Sequence, residues 1–379
     1  MSTDTTAIPI YQGQEFYVPA FEVKLRGRLL DKDVVRDIVQ VSYKDSLQEV
    51  DSFEITINNW DAEKRSFKYI DDTIFDPGKE IELWMGYFGK DKLRLMIKGE
   101  ITSLRPNFPA TGQPTLAISG LNLIHRMRTK QESHTYVRQT DSSIAQEVGK
   151  RLKEKLGVTV ETNPLEKEER YDYVLQDNKY DIIFLMERAR RVGYDIFVKE
   201  SSENDTAGES KLYFGKSDGV KRVTYQLSFG KSLVEFQPEL STAMQVGKVT
   251  VFGWDNKKKE RIKYTATRKE LRTKGVGSKG RQGAVEQSFG DREEIIADRP
   301  VNSLNEAKKL AVETLEQIAK EMLKGRGTVV GLPDLRAGGV VMIDGMGDRF
   351  SGRYFLTGTT HSITDAGYTT QFECRREEL

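Results

Sequence analysis

Phe53-Glu54-Ile55-Thr56-Ile57-Asn58-Asn59-Trp60-Asp61 carries an apolar side chain at every second position and then breaks on polar residues. A period of two places Phe53, Ile55 and Ile57 on one face of a sheet and Glu54, Thr56 and Asn58 on the other. Working outward, Ile81, Leu83 and Met85 repeat the pattern, and Leu93, Leu95 and Ile97 continue it after a Gly-Lys-Asp turn. Leu116, Ile118 and Leu121 supply another strand beyond the Pro106 to Pro114 loop, where prolines forbid ladder pairing. Short strands at this spacing read as a barrel-like β unit over residues 1–125.

From residue 126 the period changes. Ile144, Val148, Leu152 and Leu156 fall four apart behind a cap at Thr140 or Asp141, which predicts an amphipathic helix. A second helix is predicted over 180–192, with Ile182, Leu185, Met186 and Ala189 on one stripe, Asn178 ahead of it and Gly193 as its left-handed terminator. Tyr194 to Val198 returns to strand, and the polar run 201–210 reads as a solvated hairpin loop. β patterning resumes with Leu233, Val234 and Phe236 and with Val246 to Phe252, up to a break at Gly253-Trp254-Asp255-Asn256. Ser303-Leu304-Asn305-Glu306 has the form of a capping box, and the stripe Leu304, Ala307, Leu310, Ala311, Leu315, Ile318, Ala319 and Met322 predicts a third helix ending near Lys324-Gly325. Strands at 329–330, 340–343, 353–357 and 368–372 complete the chain. The fold class expected is α+β and β-rich. A first barrel-like β domain covers 1–125 and an α/β insert domain 126–230. A second barrel-like β domain comprises 231–255 and 326–379, with a basic loop and helix inserted into it over 256–325.

A chain of 379 residues is long enough for several folding units with real cores. Its 59 Lys and Arg nearly cancel its 58 Asp and Glu, so a uniformly basic nucleic-acid coat and an acidic tail protein are both excluded. The charge is local instead. Between Asn256 and Gln282, Lys257, Lys258, Lys259, Arg261, Lys263, Arg268, Lys269, Arg272, Lys274, Lys279 and Arg281 face only Glu260 and Glu270, a net of +9 that leaves −8 for the remainder. The glycines at 275, 277, 280 and 283 and the scarcity of large apolar groups predict an exposed, partly mobile excursion there. One cysteine, Cys374, allows neither an intramolecular disulfide nor a zinc quartet. With no run of 18 apolar residues and no apolar stretch behind a basic start, the chain reads as soluble, without membrane insertion or an export signal of its own.

Nucleophilic catalysis requires a reactive group beside a base that a third group orients. His125, His134 and His361 fall in contexts that suggest no such set and read as strand-end or surface residues, His361 as an alternating strand position in Thr359-Thr360-His361-Ser362. There is no G-x-S-x-G elbow, H-E-x-x-H or C-x-x-C, and scattered carboxylates read as solvated faces. The Gly-Lys-Ser triplets at Gly215 and Gly230 lack the glycine five positions earlier that a phosphate loop needs, Ser210 and Tyr225 standing there. Gly275 to Gly280 fits G-x-G-x-x-G but follows a basic polar segment rather than an apolar strand. No catalytic residue, cofactor or metal is assigned, and an enzyme is not expected. The basic segment is a candidate contact for an acidic protein surface; with Tyr264 its one aromatic, no specific nucleic acid is expected.

Two clusters carry a resemblance. Val249-Thr250-Val251-Phe252-Gly253-Trp254-Asp255 with Lys257 to Lys259 is the first, and Gly331-Leu332-Pro333-Asp334-Leu335-Arg336-Ala337-Gly338 opens the second. The second continues with Phe350-Ser351-Gly352-Arg353-Tyr354, His361-Ser362-Ile363 and Tyr368 to Phe372. Both are similar to the phage late control gene D family, which includes baseplate hub proteins of contractile tails and the first half of VgrG proteins. Gly253, Trp254, Asp255, Gly331, Pro333, Leu335, Gly352 and Tyr354 read as its structural turn positions. Gly253 and Gly352 serve sharp reversals, Pro333 stiffens the approach to a strand, and Trp254 is an apolar anchor.

The resemblance implies a homotrimer whose paired β domains present six similar units to a six-fold inner tube, with a trimeric spike on the opposite face. The channel could hold cargo or the end of the tape-measure protein. The chain ends at Arg375-Arg376-Glu377-Glu378-Leu379 without a needle domain, so the spike is expected to be a separate polypeptide. Synthesis and assembly in the bacterial cytoplasm, and residence in a phage virion or contractile injection particle, are implied with it. The alternatives are a tail-associated cell-wall hydrolase and a nucleic-acid-binding module using 256–282.

Overall fold

The computed structural model describes residues 8–10, 18–89, 93–128, 130–164, 168–199, 211–216, 225–256, 258–271, 288–298 and 301–376. The first half of the β structure is antiparallel throughout. It comprises β1 (Pro19–Leu25), β2 (Ile38–Ser46), β3 (Ser52–Asn58), β4 (Glu80–Tyr87), β5 (Arg94–Asn107) and β6 (Thr115–Asn122), in the order β2-β3-β6-β5-β4-β1. The alternation read from β3 buries Phe53, Ile55 and Ile57 in a core with Tyr43, Phe75, Leu83 and Ile118.

Two expected positions differ. In β5 the register shifts between Leu83 and Trp84 of the partner strand, and this bulge buries both Met96 and Ile97 while Leu95 stays half-exposed. In β6 the inward position is Gly120 rather than Leu121. A Cβ at Gly120 would lie 2.4 Å from the Phe53 ring and 2.2 Å from the Glu100 carbonyl oxygen, so only glycine fits where the strands come close.

The α/β insert follows as β7 (Gln131–Gln139), α1 (Asp141–Leu156), β8 (Thr159–Asn163), β9 (Tyr171–Tyr180), α2 (Asp181–Val192), β10 (Asp195–Lys199) and β11 (Lys211–Gly215). Thr140 caps α1 by accepting a hydrogen bond from the Ser143 amide at 3.2 Å, and Gly193 ends α2 at φ 69°, as the local signals predict. The predicted hairpin loop 201–210 lies outside the described residues.

Next come β12 (Tyr225–Ser228) and β13 (Leu233–Leu240), and then a separate unit: β14 (Lys248–Asp255), β15 (Glu260–Thr267), β16 (Glu293–Ile296) and α3 (Leu304–Lys320). Here the structure corrects the sequence reading. β14 pairs with β15 and β16 in a sheet of its own, rather than with the second β half, because Val249, Val251, Ile262, Ala266 and Ile296 bury themselves on Ala307, Leu310, Ala311 and Leu315 of α3. The supposed mobile excursion is, over 260–267, an ordered strand whose inward residues Ile262, Tyr264 and Ala266 are interleaved with outward Arg261 and Lys263.

In α3, Ser303 accepts from the Glu306 amide at 3.1 Å, but the Glu306 carboxylate reaches back to the Asn302 amide at 3.0 Å rather than to Ser303. Leu304 is 57% exposed and drops out of the stripe. The helix ends at Lys320, so Met322 and Leu323 leave it and are buried beyond its last turn.

β17 (Leu323–Val330), β18 (Val340–Asp344), β19 (Gly352–Thr364) and β20 (Gly367–Arg376) complete the second half in the order β12-β18-β19-β20-β17-β13. Its core gathers Leu227, Phe236, Val329, Val341, Tyr354 and Phe372. β19 serves both halves. Gly352 to Phe355 pair with β18, while Gly358 to Ile363 pair with β2 of the first half. Among the described residues these twelve strands, with the two-residue strands Ile8–Pro9 and Arg28–Leu29, form one continuous sheet of fourteen, and no ladder closes either half into a barrel. No described helix is long and apolar enough to cross a membrane.

Candidate functional site

The loop 331–339 between β17 and β18 touches both β halves and the α/β insert. Gly331 makes the first close approach, since a Cβ there would lie 2.0 Å from the Tyr368 ring. Its carbonyl accepts a hydrogen bond from Tyr87 Oη of the first half at 3.0 Å. Pro333 and Asp334 form the turn, Tyr225 Oη and Arg94 reaching Asp334 at 3.4 and 3.3 Å. Leu332 and Leu335 then drop into the second core.

Arg336 crosses to the first half. Its Nε donates to Asp45 Oδ2 at 3.0 Å, and its Nη2 donates to Tyr43 Oη and to the Met96 carbonyl, each at 2.7 Å. The guanidinium carbon lies 4.3 Å from the Tyr43 ring centre, and the Met96 carbonyl is available because the β5 bulge turned that residue inward. Asp45 receives further bonds from the Ala337 amide at 3.1 Å, the Thr359 amide at 2.9 Å and the Thr359 hydroxyl. Side-chain exposure is 11% for Arg336 and 6% for Asp45. A charge pair this dry holds one geometry, because a slipped register would strand both charges away from water.

His361 anchors the same loop from the second half. It is fully buried, on the inward side of the strand alternation that the sequence suggested for it. Nε2 lies 3.0 Å from the Leu335 carbonyl, which can only accept, so the ring proton sits on Nε2. Nδ1 therefore accepts from Tyr368 Oη at 2.9 Å. Burial, reinforced by the positive charge of Arg336, pushes the His361 pKa down to about 3 and keeps the ring neutral.

The insert locks on at the end of the loop. Gly338, at φ 80°, allows the backbone to pass the Phe197 ring, where a Cβ would stand 2.5 Å away. Phe197, stacked on Tyr213 at 4.7 Å, joins Leu47, Ala337 and Phe355 in a small junction core. Arg375 adds an ion pair to Asp195 at 3.0 Å and packs 4.9 Å from the Phe355 ring centre. Beside the junction lies an open groove of about 460 Å³ lined by Lys44, Gln48, Glu235, Arg326 and Glu373, whose mixed charges suit a protein surface better than a small apolar ligand.

Of the predicted turn positions, Gly331 and Leu335 belong to this junction and Pro333 to its turn, while Gly352 starts β19 at φ 147°. Tyr354 is buried and donates to the Phe350 carbonyl at 2.6 Å. Gly253 does not reverse the chain. It lies within β14, where a Cβ would meet the Val301 carbonyl oxygen at 2.6 Å. Trp254 is 49% exposed and anchors no core, and Asp255 closes the tight turn by accepting from the Lys258 amide at 3.0 Å.

Asp45 escaped the sequence reading although a signal existed. It continues the alternation of Val41, Tyr43 and Leu47, a carboxylate at a core position that must find a buried partner. Of the basic residues, Arg261 and Lys263 lie outward on β15, Lys258 and Lys259 form the turn, and Lys269 is exposed. Arg268 is tied to the Val246 carbonyl at 3.0 Å and packs on Phe289. Lys257, Arg272, Lys274, Lys279 and Arg281 lie outside the described residues.

The profile described as the Alg8 N-terminal domain matches residues 17–365. A search of curated proteins finds no match. Among solved structures, the 43 kDa tail protein of prophage MuSo2 from Shewanella oneidensis is 14% identical with a TM-score of 0.69, over 94% of this chain and 98% of that one. A tail protein from Neisseria meningitidis MC58 is 15% identical with a TM-score of 0.66, over 95% and 97%. An Escherichia coli type VI secretion component, described as structurally similar to the T4 bacteriophage tail proteins gp27 and gp5, is 14% identical with a TM-score of 0.50, over 93% and 76%. At these identities the likeness is one of fold, and the fold is the one seen in these phage tail proteins.

Proposed function

The chain belongs to the Alg8 N-terminal domain family, and from the fold it shares with phage tail proteins we propose that it is a structural hub in the baseplate of a phage tail or contractile injection particle. The observation that carries the reading is the way two β halves with separate cores are fused by β19 and pinned by the buried Arg336–Asp45 pair. A part that transmits force needs such a joint. Load between the halves runs along ladders of backbone hydrogen bonds that must shear together, and the buried pair resists slippage of one half on the other. In the full proposal three copies offer six β halves to a six-fold inner tube and seat a three-fold spike on the opposite face, with cargo or the tape-measure end in the channel. The hub makes and breaks no bond, and its basic segment meets an acidic neighbour.

The test is to delete the gene and image particles from the deleted strain. The hub reading predicts sheaths and tubes without assembled baseplates, rescued by the wild-type chain. Complete particles without it would refute the reading. A zymogram of the purified chain addresses the hydrolase alternative, with no clearing expected.

A further inference from the structure

We propose that the outer face of the β14–β15–β16 sheet is a docking surface for an extended acidic peptide segment of a partner protein, held by Trp254, Arg261 and Lys263. The proposal rests on the reading of the basic segment as a partner contact and gives that contact a place and a chemistry.

The two faces of this sheet differ in kind. The inner one is sealed on α3. On the outer one the register sets Phe252 opposite Lys263, Trp254 opposite Arg261 and Thr250 opposite Ile295. Trp254 is 49% exposed and Ile295 58%, so two large apolar groups stand in water on this face. Arg261 and Lys263 both lean on the Phe252 ring, 4.4 and 5.6 Å from its centre. Neighbouring cations have carboxylates, Lys248 with Glu293 at 3.2 Å and Lys258 with Glu260 at 3.6 Å, whereas Arg261 and Lys263 make no ion pair among the described residues. A guanidinium stacked by its face keeps its N–H edge open, the geometry that receives a carboxylate from a partner.

Spacing selects the occupant. Alternate side chains on a strand stand about 6.6 Å apart, so Arg261 and Lys263 match alternate carboxylates of a second extended chain, and Trp254, opposite Arg261 in the register, offers apolar contact to the methylene stems of those same acidic side chains. A nucleic-acid strand fits less well, because the Phe252 face that would stack a base already carries the chain's own cations.

The test uses the full chain with a fluorescein-labelled peptide of alternating glutamate and valine, the matching lysine–valine peptide and a labelled oligo-dT, followed by fluorescence anisotropy as salt is raised. The glutamate peptide is expected to bind, to weaken with salt, and to lose about tenfold in affinity in the double variant R261E/K263E and about fivefold in W254A. All three side chains are exposed, so the variants should keep the wild-type circular dichroism; R261Q/K263Q replaces any that does not. Undiminished binding by the double variant overturns the proposal, as does no binding or tighter binding of oligo-dT. Rescue of baseplate assembly by the same variants is scored separately. Rescue alongside unchanged peptide binding sinks the docking surface and leaves the hub reading standing, whereas failure of the gene deletion to affect particles sinks the hub reading.

Discussion

Four donors from two distant parts of the chain converge on Asp45: Arg336 Nε, the Ala337 amide, and the amide and hydroxyl of Thr359. Removing its charge takes the Asp45 carboxylate from the buried Arg336 guanidinium, so Asp45→Asn should cost roughly 3 kcal/mol in urea unfolding. A loss below about 1 kcal/mol would show that water reaches the pair.

His361 makes a pH prediction. Its folded pKa of about 3 lies below the ordinary 6.5, so above 6.5 neither state carries the proton and nothing is gained or lost. As pH falls from 6.5 toward 3, the unfolded chain takes up a proton that the folded chain refuses, and stability declines by about 1.4 kcal/mol per pH unit. In unfolding titrations His361→Gln should flatten this slope just below 6.5, where carboxylates do not yet titrate; an unchanged slope would contradict the buried neutral ring. At this scale the sequence showed which residues were out of place but not why. Asp45 breaks an apolar alternation in plain sight, yet Arg336 stands 291 positions away.

Elements with local determinants were legible. The bounds of α1 and α2 follow from Thr140 and Gly193, because a cap or an αL residue acts within a few positions of itself. The β5 bulge and the inward place of Gly120 are set by partner strands and leave no mark in the strand's own periodicity. In β15 the alternation of Ile262, Tyr264 and Ala266 is interleaved with Arg261 and Lys263, whose charge gives the segment the composition of a solvated loop. Two substitutions probe this level. Ser303→Ala should lower stability by about 1 kcal/mol through loss of the α3 cap. Gly120→Ala should cost more, roughly 2 kcal/mol or above, because the new Cβ meets the Phe53 ring and a backbone oxygen in a packed core. Equal effects in thermal melts would mean that β6 can move away from β5 at little cost.

At the scale of the molecule, neither the separate sheet of β14, β15 and β16 nor the joint between the β halves was readable. The separate cores follow from apolar patterning, but the sharing of β19 between halves depends on where one strand changes partners from β18 to β2, a choice made by tertiary packing. That joint gives the adapter proposal its mechanical sense, since each copy would present two rigidly coupled β surfaces to its ring. The most direct measurement is the symmetry of the assembled baseplate by electron cryomicroscopy. The account predicts three copies of this chain at the end of the tube, their six β halves alternating around the axis at equal radius. Six copies, or three copies with one half of each turned away from the tube, would contradict it.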